Sequence, residues 1–212
     1  MKEASHINYA VSIQEARLVA RAGALILNSA IESGIKPESI HIAGHSLGGQ
    51  LMSFLAKDFK IISGESIGRF TPLDAAGPLF SDCPSGARTD RTDANYVDFI
   101  HTDGGHLPAL AMHDAVGDAD FYVNDGRHQP GCPTPSLDTN CEHQRAVQIW
   151  TSSFENPCIV CPCQSYEDLI NQQCDNCISQ NTVGYWSVKK SNVPITYYMR
   201  TTDSKPYCKY GP

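Results

Sequence analysis

The stretch around residue 46 constrains the fold more than any other. The run Ile40-His41-Ile42-Ala43 is largely apolar and β-branched, meets Gly44-His45-Ser46-Leu47-Gly48-Gly49, and continues into Gln50-Leu51-Met52-Ser53-Phe54-Leu55-Ala56. A strand, a tight turn and a helix around G-x-S-x-G form the local setting of a nucleophilic serine. A serine hydroxyl attacks a carbonyl only when held on a sharp turn near a base and near oxyanion donors. Gly44 and Gly48 are expected to let the flanking backbone close that turn. The plainer reading is a glycine-rich turn with an incidental serine; the strand before and the apolar helix after favour the nucleophile. The rest of the chain must then supply an acid, a base and backbone donors.

The remaining pattern is that of an α/β protein. Residues 10–33 read as a helix, with apolar residues at Val11, Leu18, Ala22, Leu25 and Ile26, and Gly34 ending it. Residues 67–73 read as a strand with Pro72 weakening its end, and Tyr96 to His101 as another. The segment from Thr102 to Asn140 reads as loop, residues 142–154 as a helix, and Ile195 to Arg200 as a strand. Strand–helix–strand alternation points to parallel strands, with active residues at their carboxyl ends.

Composition narrows the function. At 212 residues the chain is one domain with at most a small appendage, and 41% apolar with 18% charged residues is ordinary for a folded protein. The net charge of −7 argues against a nucleic-acid partner and mildly against strong attraction to anionic lipid. No stretch approaches transmembrane length. Nine cysteines, seven of them between Cys132 and Cys177, favour disulfides and hence a secreted or lumenal protein. Cys158-x-x-Cys161-x-Cys163 and Cys174-x-x-Cys177 raise a zinc site as the rival. The odd count leaves at least one thiol free or paired elsewhere. The sequence opens directly on polar residues with no secretory signal, so the expectation is that an N-terminal portion precedes it.

Asp74, the first residue past the 67–73 strand, is the best candidate acid. The residues alone leave five histidines open as base: His101, His106, His113, His128 and His143. His143 has the better setting, just after Cys141 at a helix start. His45 is expected to point away from the serine's side of the turn, as a packing residue.

Several segments now match a known family. Gly44-His45-Ser46-Leu47-Gly48-Gly49 resembles the nucleophile motif of the pancreatic-lipase-like family, which includes arthropod phospholipases A1, with Gly49 where alanine is typical. Gly68 to Pro78 is similar to its acid segment, with Ala75 where proline is usual. Arg88 to Thr102, Asp120-Phe121-Tyr122, Gln129-Pro130-Gly131-Cys132 and Cys141-Glu142-His143-Gln144-Arg145 also resemble family blocks, in the family's order.

The resemblance implies an α/β-hydrolase fold over residues 1–212, with residues 155–212 a cysteine-rich tail of the same domain. It implies Ser46 as nucleophile, Asp74 as acid, His143 as base and the Leu47 amide as one oxyanion donor. The family's other donor lies on a His-Gly segment not found in this sequence. It implies a short lid closed by Cys132 and Cys141, which goes with phospholipase A1 action rather than triglyceride preference. Cys163 and Cys174 resemble a further disulfide pair; Cys177 matches a family cysteine whose partner is open among Cys158, Cys161 and Cys208. Arg88-x-Asp90-x-x-Asp93, with the carbonyls of Ser85 and Arg88, resembles a structural calcium site; no cofactor is required for the chemistry. The expected function is a secreted carboxylic-ester hydrolase acting at a lipid interface on phospholipid or other glycerolipid esters. The rival is a catalytically silent lipid-binding or yolk-protein-like relative.

Overall fold

A computed structural model describes residues 8–105, 109–133, 139–174, 177 and 179–208. Five strands build one parallel sheet in the order β1 (His41–His45), β2 (Ile67–Leu73), β3 (Ala94–His101), β4 (Ala119–Val123) and β7 (Ile195–Met199). β5 (Cys158–Val160) and β6 (Asn181–Val183) form a small antiparallel pair. The helices are α1 (Tyr9–Glu32), α2 (Leu47–Ser63), α3 (Thr139–Ser152) and the short α4 (Tyr166–Ile170). The α/β-hydrolase expectation is met.

Strand alternation divides the core. Phe70 and Val97 face α1 and α2, where they meet Phe54, Leu55 and Phe59. Tyr96 and Ile100 face the other way, against Ala146 and Ile149 of α3 and Phe121 and Tyr197 of the neighbouring strands. A fully buried Phe contributes about 1.5–3 kcal/mol over an exposed one, so Phe59, Phe70, Phe99 and Phe121 anchor both layers.

Two readings need correction. The helix at residues 9–32 exists, but the apolar residues that marked it face solvent: Leu18 is 74% exposed, Ile26 70% and Leu25 51%, while Ile13, Val19, Leu27 and Ile31 pack partly against the core. The buried positions are Ser12, Ala16, Ala20 and Ala24, one turn apart. Small side chains on that row let α1 lie close to α2, because helix separation is set by the residues at the contact. A Cβ on Gly23 would come within 2.6 Å of Leu55 Cδ1.

The second correction is β4. The segment from Thr102 to Asn140 is not all loop. Ala119–Val123 is a fully buried strand between β3 and β7. It is short, is bounded by Gly117 and Asn124-Asp125-Gly126, and holds Asp120 in its middle, which masks its apolar character in the sequence. Inside the fold Asp120 is satisfied: it accepts from His101 Nε2 at 2.8 Å, the Gly117 amide at 3.0 Å and the Val116 amide at 3.2 Å.

All cysteines of the tail are in disulfides: Cys158–Cys208, Cys161–Cys177 and Cys163–Cys174. The zinc reading therefore falls, and Cys161 is the partner of Cys177. Cys132 pairs with Cys141, and Cys83 is free. No helix among the described residues is long and apolar enough to cross a membrane.

Candidate active site

β1 delivers Ser46 to the carboxyl edge of the sheet. Ser46 takes φ 55° and ψ −126° and caps α2 at its N-terminus. That strained conformation is left-handed in φ, unusual for a residue with a Cβ. Three hydrogen bonds hold it: the Ser46 amide donates to Leu73 O at 3.1 Å, while its carbonyl accepts from Gly49 N at 2.9 Å and Ala76 N at 3.0 Å. The nucleophile turn is thereby tied to both sides of Asp74.

The glycines of the turn do not act as the sequence alone implied. A Cβ on Gly44 would lie 2.2 Å from Gly48 O, so Gly44 is sterically required. Gly48 itself has open space at that position; it contributes its carbonyl. Gly49 is the second restricted position, since its Cβ would lie 2.7 Å from Ala75 Cβ. Gly49 and Ala75, the two departures from the family pattern, therefore touch each other.

Asp74 sits one residue past β2 with φ 48° and is fully buried. Its Oδ1 accepts from the amides of Thr102 at 2.7 Å and Asp103 at 3.1 Å. Its Oδ2 accepts from His143 Nδ1 at 2.7 Å. Three N–H donors converge on this carboxylate and fix its direction. With Nδ1 donating to the carboxylate, the neutral His143 ring carries its lone pair on Nε2. That nitrogen is buried and has no hydrogen-bond partner.

His143 stands in the early part of α3, two residues after Cys141, and the Cys132–Cys141 disulfide ties down the chain that presents it. His45 supports it from below. The His45 Nε2–H donates to the His143 carbonyl at 3.0 Å, and the two rings lie 4.3 Å apart. Burial, then the charge of His143, lowers the His45 pKa, which keeps it neutral and donating.

Among the described histidines, His143 is the one whose ring bonds Asp74. His101 is buried against Asp120, His113 lies beside Tyr122, and His128 is paired with Glu142. His106 lies outside the described residues, as does most of the expected lid loop, with Leu137. Leu47 opens α2, where the first amides have no intrahelical acceptor and the helix dipole favours negative charge. A cleft of about 740 Å³ begins at Gly77, with Pro78, Leu79, Phe80, Ala109 and Ala111 forming its apolar wall and Asp82, His113 and Asp114 its polar one. A second, polar cleft of about 710 Å³ lies between Arg127, His128 and Arg200. Neither is lined by Ser46, Asp74 or His143. The first starts beside Ala76, whose amide holds Ser46.

A family profile described as Lipase matches residues 1–207. The chain belongs to the lipase family. Lipase member H of Danio rerio is 34% identical over 98% of this chain and 48% of its own length. Lipase member H of Rattus norvegicus is 35% identical over 90% of this chain and 46% of its own. Phospholipase A1 member A of Homo sapiens is 34% identical over 88% of this chain and 43% of its own. This lipase-family chain therefore spans about half the length of the curated relatives it matches.

Two sets of described residues in this chain could be asked to hold an ion. A carboxylate oxygen of Asp74, one of Asp103 and a ring nitrogen of His143 lie within 4.8 Å of one another. Hydrogen bonds organise that cluster, because an ion there would have to break the Asp74–His143 bond. The residues resembling a calcium site behave differently: a lysine supplies their positive charge. Lys57 Nζ donates to Asp93 Oδ1 at 2.5 Å, Ser53 Oγ at 2.7 Å and Arg88 O at 2.8 Å. Asp93 Oδ2 accepts from the Asp90 amide at 3.0 Å, and Asp90 Oδ1 accepts from Thr92 N at 3.0 Å and Thr92 Oγ1 at 2.8 Å. An ion on the Arg88 carbonyl and Asp93 would have to displace Lys57. Burial pushes the Asp93 carboxyl up and the Lys57 ammonium down, and their mutual attraction pulls both back.

Removing one partner of such a buried pair costs about 3–5 kcal/mol. Lys57→Met is therefore expected to lower the melting temperature by roughly 10 °C, at about 2–4 °C per kcal/mol for a chain of this size. Wild-type calorimetric midpoints should be the same in calcium and in chelator. A wild-type midpoint that rises with calcium would show that an ion neutralises Asp93 instead.

Proposed function

We propose that this chain carries the catalytic centre of a secreted carboxylic-ester hydrolase acting on glycerolipid esters, with phospholipase A1-type cleavage preferred to triglyceride hydrolysis. One observation supports it above the others: Asp74 accepts the Nδ1 proton of His143 at 2.7 Å, and the buried Nε2 is left without a partner, on the same sheet edge as a serine on a strained turn.

The chemistry follows from those roles. Ser46 Oγ attacks the ester carbonyl as His143 Nε2 takes its proton. The tetrahedral oxyanion forms against the Leu47 amide at the start of α2. His143 returns the proton to the departing alcohol, leaving an acyl ester on Ser46. Water then repeats the cycle and frees the acid. Asp74 holds the ring and stabilises its charged form throughout. The Ser46–His143 hydrogen bond closes with substrate in place, as such bonds do in many hydrolases. The apolar wall of the cleft beyond Gly77 is suited to an acyl chain. Four disulfides fit an oxidising, extracellular setting. The phospholipid preference draws on the likeness to human phospholipase A1 member A and on the short Cys132–Cys141 loop.

The test is an assay on vesicles of diacyl phosphatidylcholine and, separately, on emulsified triacylglycerol. The expected products from phospholipid are a free fatty acid from the first glycerol position and a lysophospholipid that keeps the acyl chain of the second. Faster triacylglycerol turnover would refute the preference. Covalent capture by a fluorophosphonate without turnover on either lipid would refute the substrate class.

A further inference from the structure

The loop after β3 brings a second carboxyl group to the catalytic pair. Thr102 and Asp103 both donate their amides to Asp74. The Asp103 side chain is itself fully buried, and one of its oxygens shares the 4.8 Å cluster with Asp74 and His143. Its Oδ2 accepts from the Leu110 amide at a long 3.3 Å. The ionisable groups that act on it are Asp74 after β2 and His143 and Glu142 on α3; one contact further out, His45 bonds the His143 carbonyl and His128 pairs with Glu142.

We infer that Asp103 is a positioning residue for the catalytic pair, a buried second carboxyl that controls how firmly His143 holds a proton and so the pH range in which the histidine serves as a base. This rests on the reading of His143 as the base of the hydrolase.

The physical argument concerns which carboxyl carries the charge. Two buried carboxyls this close do not both ionise easily. Asp74, with two amides and an imidazole donating to it, is the better-stabilised anion. Asp103 is therefore the one that keeps a proton. Burial, and next the charge of Asp74, push the Asp103 carboxyl up to about 7; the Leu110 amide and His143 act in the opposite direction, and Glu142 reinforces the rise. Below that point Asp103 is neutral, and His143 feels one carboxylate. Above it the histidine feels two and holds its proton more firmly. The two groups titrate as a coupled pair.

Asp103→Asn removes the second charge and keeps an oxygen for the Leu110 amide. The measurement is an NMR titration of the 212-residue protein from pH 4 to 9, following the His143 ring and ¹³C-labelled aspartate carboxyls. In the wild type the Asp103 carboxyl should titrate near neutral pH, and His143 should show two steps. In Asp103→Asn, His143 should show a single step, displaced to lower pH, as expected for losing a nearby carboxylate. The acidic limb of kcat/KM should move down with it. An unmoved His143 in the variant would overturn the inference, even if the variant is less stable, because a purely structural residue would lower stability alone. Should the variant not fold, the wild-type carboxyl titration decides: an Asp103 ionised throughout the range from pH 5 upward overturns the proposal. Retained coupling in a protein that no fluorophosphonate labels would leave the Asp103–His143 relation standing and sink the hydrolase reading instead.

Discussion

Ser46→Ala is expected to lower ester turnover by about 10⁶-fold, the loss seen when a triad nucleophile is removed, and to abolish fluorophosphonate labelling. Ser46 is held by its backbone, through Leu73 O, Gly49 N and Ala76 N, so the turn does not depend on the hydroxyl. Alanine tolerates the positive φ no worse than serine does. Far-UV circular dichroism and the melting temperature should therefore match the wild type. That separation makes the test decisive: a change in chemistry without a change in fold. Labelling that persists in the alanine variant would remove Ser46 from the mechanism and require another nucleophile.

The second large effect belongs to Asp74. Asp74→Asn is expected to reduce kcat by roughly 10⁴-fold, the scale of the same change in a serine-protease triad. An asparagine oxygen can still accept from the Thr102 and Asp103 amides, so the loop geometry is retained. The trouble lies on the other side. The amide nitrogen would face His143 Nδ1, which must then accept, and the ring proton moves to Nε2. The histidine would have the wrong tautomer for a base, and its charged form would lose its carboxylate. Asp74 is fully buried and contacts no substrate surface, so KM should change little. A loss in kcat of less than tenfold, measured beside an unchanged melting curve, would show that another group orients His143. Asp103 would be the first to examine.

The order proposed for nucleophile, acid and base was legible because each of the three residues has a local signature. Ser46 lies in a strand–turn–helix whose residues are contiguous. Asp74 is the first residue past a strand. His143 follows a cysteine at a helix start, although only the fold separates it from four other histidines. His101 is the instructive competitor: it ends a strand, as a catalytic residue would, but its neighbour across the sheet is Asp120, and both ring nitrogens face oxygen acceptors inside the core. Nothing in the order of residues distinguishes those two environments.

The strand β4 and the buried face of α1 were not legible for related reasons. Apolar periodicity reports which side of an element is greasy, on the assumption that the greasy side is covered. In α1 the covered side is the one with small residues, because close approach to α2 rules there. In β4, Asp120 breaks the apolar run, and its cost is offset by partners far from it in sequence. Lys57 belongs to the same class. Its partners, Arg88 and Asp93, are more than thirty residues away, and the lysine reads as an ordinary helix-surface residue until α2 is set against the loop before β3.

The amino-acid sequence by itself determined the turn at Ser46, the order of the residues proposed as nucleophile, acid and base, the parallel α/β plan and the oxidised character of the tail, since each depends on contiguous residues or on composition. Only the tertiary structure decided that the His143 ring meets Asp74, that Cys158 pairs with Cys208 and Cys161 with Cys177, which face of α1 is buried, and that Gly49 rather than Gly48 is the second sterically bound glycine at the turn. Those outcomes depend on distances between segments remote along the chain. The turn at Ser46 places a hydroxyl; the packing of β2, the loop after β3 and α3 decides what stands around it.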